Sequence, residues 1–254
     1  MTATAFAAAA RQAPVILLPL GSHEDHGPHQ PMGDYVLADM VAERIARRAT
    51  GQGVPTFVAP SLPFGVADYF GASPGGLALS PATFSCVLQD LLEGLLRHGL
   101  RKIIILNAHG GNVPVIHEVT LGIRHGRGLI IPSFYLWKIA RQLMEQQGGV
   151  AQERFGHGAE PLLSLNLALR PDFIGAAEPD ANARATVIGL PVAGFGMLDF
   201  QGLAVEAPVE FGEAGGDAIA TAWHDRDAVL GKDVAEALVS AGARFVAHFN
   251  EASA

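Results

Sequence analysis

The segment GSHEDHGPHQPMGD, which spans Gly21–Asp34, concentrates side chains that bind metal ions or move protons. It contains three histidines, one glutamate and two aspartates, and it follows directly on the apolar run PVILLPL. Imidazole and carboxylate groups together suit Zn²⁺ or Mn²⁺, and one carboxylate can bridge two such ions. The segment is therefore a candidate metal site. The alternative is a surface loop whose charges are simply solvated.

The spacing of the histidines predicts a loop and not a helix. A zinc-protease H-E-x-x-H motif needs its histidines four residues apart, whereas His23 and His26 are three apart. A Gly-Pro pair follows at once, and a helix would not tolerate it. Alternate side chains of an extended segment share one side, so Glu24 and His26 are expected to point together. Asp34 comes just before the next predicted helix, close enough for the chain to fold back.

A second polar cluster, NAHGGN, follows the apolar run KIIIL. His109 lies in this cluster beside Gly110 and Gly111, which have no side chains and leave room for a ligand. The alternative is a turn histidine that caps the following helix. Asn112 is predicted to be a helix N-cap.

A third cluster, FGHGAEP, precedes the apolar helix pattern LLSLNLALR and contains His157 and Glu160. Taken alone, it is equally typical of an N-terminal helix turn in which Glu160 complements the helix dipole.

Short apolar runs alternate with longer helical patterns along the chain, which indicates an α/β protein with a parallel or mostly parallel sheet covered on both faces. The predicted strands are Val15–Leu20, Thr56–Ala59, Lys102–Leu106 and Leu129–Ile131. The predicted helices are Tyr35–Arg48, Pro81–His98, Val113–His125 and Asp225–Phe249. Further short strands and loops are expected between Ala176 and Glu213, which is rich in Gly, Ala and Pro. Because ligands bind beyond the carboxyl ends of the strands in open α/β sheets, two strands are expected to deliver the first two clusters to one edge.

Composition narrows the function classes and the organisation of the chain. The 254 residues carry a net charge of −8, which argues against nucleic-acid binding and against an anionic membrane surface. The longest apolar runs are too short for a membrane span, and a cytoplasmic protein is expected. The single cysteine, Cys86, excludes an internal disulfide framework and is predicted to be a buried thiol. Residues 1–14 are expected to form a flexible lead-in, and residues 15–254 a single domain.

Three blocks of the chain, taken together, resemble the creatininase family (creatinine amidohydrolase and its relatives). The blocks are LPLGSHEDHGPHQPMGD, then LALSPATF with HGLRKIIILNAHGGN, then GHGAEPLLSLNLAL. Members of this family carry similar segments in the same order. A later stretch, GEAGGDAIATAWHDRDAVLGKDVAEALV, looks like the closing segment of the family.

The resemblance implies a creatininase-like three-layer α/β/α sandwich and a binuclear site with two divalent metal ions, Zn²⁺ and/or Mn²⁺, with Fe²⁺ possible. It implies hydrolysis of a C–N bond in a small-molecule amide, typically cyclic, and a homo-oligomer, often a hexamer. Carried over by position, Glu24 and His109 would hold one metal, His26 the other, and Asp34 would bridge them. His157 matches the histidine that moves protons near the substrate.

The chain departs from the family pattern at three positions. Asp34 comes ten residues after Glu24, where the family usually has eleven. Gly111 and Leu162 stand where creatininase proper or its relatives have ligand glutamates. Glu160 is the obvious substitute, so it is predicted to be the fifth ligand.

The predicted mechanism is attack on the amide by a water or hydroxide held by the two metals, with His157 moving the proton at a pKa in the working range. Gly110 and Gly111 would lie against the substrate. The alternatives are a deformylase-type or peptide-modifying enzyme with the same site, and a non-catalytic metal-binding assembly protein. A Rossmann-type nucleotide binder is disfavoured, because the first strand is not followed by G-x-G-x-x-G.

Overall fold

The central sheet is parallel throughout and has the strand order β2-β1-β3-β4. Its strands are β1 (Val15–Leu20), β2 (Thr56–Val58), β3 (Lys102–Asn107) and β4 (Ser133–Tyr135). The computed structural model describes residues 1–70, 73–147, 150–179, 185–194, 196–215 and 217–253. Strand β1 pairs with β3 along its whole length, from Val15 opposite Lys102 to Leu20 opposite Asn107. This register brings the ends of the two strands that precede the polar clusters side by side.

Alternate residues of the two central strands enter two separate hydrophobic cores. Val15 and Leu17 pack into one core, on the side of helices α2, α5, α6 and α8, whereas Ile16 and Leu18 pack into the other, on the side of α3 and α4. The helices are α1 (Ala3–Ala10), α2 (Tyr35–Gly51), α3 (Pro81–Arg97), α4 (Val113–Arg127), α5 (Leu136–Gln147), α6 (Leu162–Leu169), α7 (Asp217–His224) and α8 (Ala228–Ala252). Helices therefore cover both faces of a parallel sheet, and the predicted α/β/α sandwich is confirmed.

A second, antiparallel sheet follows α6 and has the order β5-β6-β7-β8. It comprises β5 (Thr186–Val187), β6 (Leu190–Gly194), β7 (Met197–Phe200) and β8 (Leu203–Glu206), which confirms the expectation of short strands in this region. In the described part of the chain, no helix is long and apolar enough to cross a membrane.

One predicted strand is wrong, and one predicted helix begins later than expected. The segment Leu129–Ile131, predicted as a strand, forms no strand in the structure. The strand that pairs with β3 begins at Ser133. Ile131 is buried in the core, so an apolar run here reflects burial without strand pairing. The helix predicted at Asp225–Phe249 is α8, which begins at Ala228 because the side chain of Asp227 accepts hydrogen bonds from two backbone N–H groups and caps the helix there.

The burial expected for Cys86 is also wrong, since the thiol is exposed. Helix α3 buries Phe84, Leu88 and Leu92, which lie four residues apart and form one stripe. Cys86 lies half a turn away from that stripe, on the solvent side.

Candidate metal centre

Glu24 lies at the centre of a buried cluster of histidines and carboxylates. Its Oε1 atom is 3.0 Å from Nδ1 of His109 and 3.2 Å from Nε2 of His26. Nδ1 of His109 is also 3.8 Å from Oδ2 of Asp34. The loop after β1 and the turn after β3 therefore meet at the carboxyl edge of the sheet, as the sequence predicted.

Ligand-type atoms of this cluster form two overlapping groups. In each group the atoms lie within 4.8 Å of one another; one group contains Glu24, Asp34 and His109, and the other Glu24, His26 and His157. The structure thus brings five of the predicted site residues together, from three separate segments of the chain. The bridging role of Asp34 stays a prediction, because the residue that the two groups share is Glu24.

Each of the three histidines is oriented by a backbone carbonyl group. One ring nitrogen contacts a carbonyl oxygen, while the ring also faces the carboxylate cluster. This arrangement fixes ring orientation and tautomer in the histidine ligands of metalloproteins. The three contacts are His109 Nε2 with the Val66 oxygen (2.8 Å), His26 Nδ1 with the Pro31 oxygen (3.4 Å) and His157 Nε2 with the Asp25 oxygen (2.5 Å).

The shifted pKa values of the cluster indicate that its buried negative charge favours a positive charge nearby. Burial opposes ionisation of Glu24, but hydrogen bonds with His109 and His26 hold the pKa of this carboxyl well below its usual range. Burial and the neighbouring Glu24 raise the pKa of Asp34 to about 7. Burial disfavours the charged form of His109, yet its hydrogen bond with Glu24 raises its pKa to about 9. Without an added cation, protons on the cluster compensate part of the buried negative charge.

The residues of the cluster fit divalent cations. Oε2 of Glu24 is buried and has no hydrogen-bond partner among the described residues. Leaving a buried carboxylate oxygen without a partner is costly, and a metal ion would satisfy it. Two carboxylates with two or three imidazoles are the donor set of Zn²⁺ or Mn²⁺ sites.

His157 is packed among aromatic rings beside the cluster. Its ring centroid lies 5.0 Å from that of His26, 4.5 Å from that of Phe70 and 5.0 Å from that of Phe211. Burial lowers its pKa to about 4, with repulsion from His26 as a further cause. The sequence predicted a pKa in the working range. In the metal-free protein the imidazole is instead neutral at pH 7, because burial disfavours the charged form.

Glu160 is buried next to this loop but belongs to neither ligand group. Its Oε1 atom accepts hydrogen bonds from Arg154 at 3.0 Å and from the hydroxyl of Ser164 at 2.7 Å. Its Oε2 atom accepts from the backbone N–H of Ser164. The buried ion pair between Glu160 and Arg154 thus joins the two ends of the loop that carries His157. Its assignment as a fifth metal ligand stays a prediction.

Close packing explains the two glycines after His109. A Cβ atom on Gly111 would lie 2.0 Å from the carbonyl oxygen of Val66, the group to which His109 is hydrogen-bonded. A side chain at this position would push apart the contact that orients the histidine. A Cβ atom on Gly110 would lie 3.1 Å from the hydroxyl oxygen of Tyr135.

Asn112 does not cap helix α4 with its side chain, contrary to prediction. Its Oδ1 atom instead accepts from the N–H of Val66, and its Nδ2 atom donates to the carbonyl of Gly21 and to Asn107. The amide therefore links the carboxyl ends of three neighbouring strands, β1, β2 and β3. A side-chain cap would instead stabilise only the first turn of α4.

A cavity of about 630 Å³ opens over the cluster. Gly110, Gly111 and His157 line it, together with side chains from α5, the side chain of Tyr135 and the backbone of Gly196 in the turn between β6 and β7. Sequence reasoning missed Tyr135, which is the last residue of β4. The rule that ligands bind at strand ends would have selected it if this strand had been placed correctly.

Comparisons with known proteins identify the family. The family model for Creatininase, described as creatinine amidohydrolase, matches residues 1–253. Creatinine amidohydrolase of Pseudomonas putida is 30% identical over 176 residues, which cover 63% of this chain and 66% of that protein. The 3-dehydro-scyllo-inosose hydrolase of Thermotoga maritima is 30% identical over 169 residues, which cover 65% and 53%. The matched regions thus span slightly under two thirds and about half of these relatives.

The mycofactocin precursor peptide peptidase of Mycolicibacterium smegmatis is 28% identical over 117 residues, which cover 44% of this chain and 46% of that protein. Among solved structures, one described as "Creatininase Mn" has a TM-score of 0.72 at 23% identity and covers 97% of this chain and 95% of its own. This likeness shows the fold, and the match over 253 residues shows the family. The chain belongs to the creatininase family.

Proposed function

We propose that this protein is a metal-dependent amidohydrolase that cleaves a C–N bond of a cyclic or linear amide at a two-metal site. One observation carries the proposal: two groups of ligand-type atoms share Glu24 and lie at the floor of a single cavity. Three relatives within the family are described as hydrolases or peptidases of different substrates, which supports hydrolysis as the reaction class.

Glu24, His26, Asp34 and His109 would hold the cations, with Glu160 as a proposed further ligand. Two divalent cations in such a site acidify a water molecule and polarise the carbonyl group of the substrate. The relatives include creatininase structures described as Mn and Zn–Zn forms, which favours these two metals.

His157 is proposed to carry the proton. Its neutral imidazole accepts a proton from the attacking water and then gives it to the departing amide nitrogen. The carbonyl of Asp25 holds the ring in place during both transfers. The rings of Phe70 and Phe211 pack against the imidazole and limit its contact with water on this side of the cavity.

The size and lining of the cavity bear on the substrate. A volume of about 630 Å³ lies in the range that buries ligands of drug-like size. Trp137 and Phe155 line its walls along with Tyr69, so an amide with an apolar or planar group would be well accommodated. The cavity is larger than a single small ring requires. Its volume therefore favours, as a second candidate substrate, a linear amide such as the end of a peptide.

The test begins with metal analysis of the purified protein, before and after chelation and reloading with Zn²⁺ or Mn²⁺. Each form is then assayed with creatinine, other cyclic amides, formamides and short peptides. We expect about two metal ions per chain and hydrolysis by the reloaded forms only. Bound metal without hydrolysis of any compound would favour a non-catalytic assembly protein, and a protein that binds no metal would overturn the proposal.

A homo-oligomer, with a hexamer as the first expectation, is proposed from family membership. Light scattering coupled to size-exclusion chromatography measures this directly, because the chain mass is 26.6 kDa.

A further inference from the structure

Tyr135, at the end of a third strand, places a hydroxyl group in the same cavity as the cluster of histidines and carboxylates. The residue ends β4, where the strand register places it opposite Asn107, two positions before His109. The hydroxyl oxygen lies 3.1 Å from the position that a Cβ atom on Gly110 would occupy. Because Gly110 has no side chain, the space between this hydroxyl and the cavity stays open.

The hydroxyl has an unused hydrogen-bond donor. It makes no hydrogen bond with any residue that the structure describes, although the side chain is largely buried and lines the cavity. Burial, with the nearby charges of Asp34 and Glu24, raises the pKa of Tyr135 to about 12. The group is therefore protonated across the physiological range and can donate a hydrogen bond but cannot act as a base.

We propose that the Tyr135 hydroxyl donates a hydrogen bond to the carbonyl oxygen of the amide under attack and strengthens this bond as negative charge develops on that oxygen. Donors that face a developing oxyanion in a site of low polarity contribute more to the transition state than to the ground state. Tyr135 keeps its proton throughout, and the proton for the leaving nitrogen passes through His157. The inference rests on the proposed amide hydrolysis.

The test compares Tyr135→Phe with Ser85→Ala. Both variants remove one hydroxyl group, but the Ser85 hydroxyl accepts a hydrogen bond from Gln89 on helix α3, away from the residues that line the cavity. Metal content and thermal unfolding of each variant are measured first. Binding of inorganic phosphate, a tetrahedral oxyanion, to the Zn²⁺-loaded proteins is then measured by calorimetry.

We expect Tyr135→Phe to retain metal and to bind phosphate about tenfold more weakly, as for the loss of one hydrogen bond to a charged group. With any amide that the wild type hydrolyses, kcat should fall about 100-fold while KM changes little, as for the loss of an oxyanion donor. Ser85→Ala should match the wild type within about twofold on both readouts, since its hydroxyl lies outside the cavity and cannot reach the reacting oxygen.

Equal phosphate affinity of the wild type and Tyr135→Phe would overturn the inference, as would a loaded wild type that binds no phosphate at millimolar concentration. A loss of metal from Tyr135→Phe would also overturn it, because the residue would then support the ligands and not the substrate. Failure of the proposed function has a different signature, namely a wild-type protein that binds no metal or hydrolyses no amide.

Discussion

Nδ1 of His109 lies 3.0 Å from Oε1 of Glu24, although 85 positions separate the two residues along the chain. Both side chains are buried, and the contact joins the loop after β1 to the turn after β3. This contact is the geometric core of the proposed site, because both ligand groups include Glu24.

Replacement of Glu24 by Gln should abolish metal binding. The change keeps the shape of the side chain but removes the negative charge that both ligand groups share. We expect less than a tenth of the wild-type metal content by elemental analysis, with no hydrolysis. Glu43→Gln is a matched control, because Glu43 is exposed and pairs with the exposed Arg47, away from the cluster. Full metal content in Glu24→Gln would contradict the assignment of the cluster.

Replacement of His157 by Ala should separate proton transfer from metal binding. We expect unchanged metal content and a fall in kcat of about 100-fold to 10,000-fold, the usual contribution of a general acid–base group. His117→Ala, on the exposed side of α4, should leave both quantities unchanged. Because His157 also lies in a ligand-type group with Glu24 and His26, loss of metal would instead make it a ligand. Full activity would remove the proton-carrier role altogether.

Replacement of Arg154 by Ala should destabilise the fold, because it leaves the carboxylate of Glu160 buried without its cation. Breaking one side of a buried ion pair costs about 3–5 kcal/mol, which denaturant unfolding would detect. Arg127→Ala, which breaks an exposed pair with Glu93, should cost about 1 kcal/mol or less. Equal losses in the two variants would show that the Arg154 pair contributes no more than a surface pair.

Replacement of Glu160 by Gln tests the ligand hypothesis directly. A fifth ligand predicts a loss of bound metal, in addition to any loss of stability from the altered contact with Arg154. The amide oxygen can still accept one of the two hydrogen bonds from Ser164, so part of the local network is kept. Metal content and activity equal to those of the wild type would remove Glu160 from the ligand set.

Replacement of Gly111 by Ala should disrupt the site through packing alone. The new Cβ atom would lie 2.0 Å from the Val66 oxygen, and forced overpacking costs about 1–3 kcal/mol. Gly94→Ala, in the interior of α3 with no atom within 4 Å of the new Cβ, should instead stabilise the protein by about 0.5–1 kcal/mol. Unfolding free energies of the apo proteins measure both changes. A Gly111→Ala protein as stable as the wild type would show that the loop relaxes freely.

Much of the sheet could be predicted from the chain itself. Val15–Leu20 was predicted with its observed bounds, because an apolar run between a proline and a glycine is typical of a strand buried on both faces. The start of α3 at Pro81 was predicted correctly, and the side chain of Ser80 caps the helix there by accepting from the N–H of Thr83. The convergence of Glu24 with His109 followed from the rule on strand ends, without any knowledge of the register.

Other features depend on contacts that a local pattern does not contain. β4 has only three residues, and its position is set by pairing with β3 and not by its own hydrophobicity. The carbonyl groups that orient the histidines belong to backbone atoms, so no residue type in the sequence marks them. The packing of His157 depends on Phe70 and Phe211, which lie far from it along the chain.

Four of the proposed ion-binding side chains, Glu24, His26, Asp34 and His109, precede residue 110, whereas Glu160, His157 and most of the outer cavity wall come from later segments. Changes in α5 or at the Gly196 turn can therefore alter which molecules enter without touching the groups beneath them. The first half of the polypeptide supplies most of the floor of the cavity, and the second half supplies most of its outer wall. Exchanging the later half between relatives with different substrates would be a direct route to new specificities.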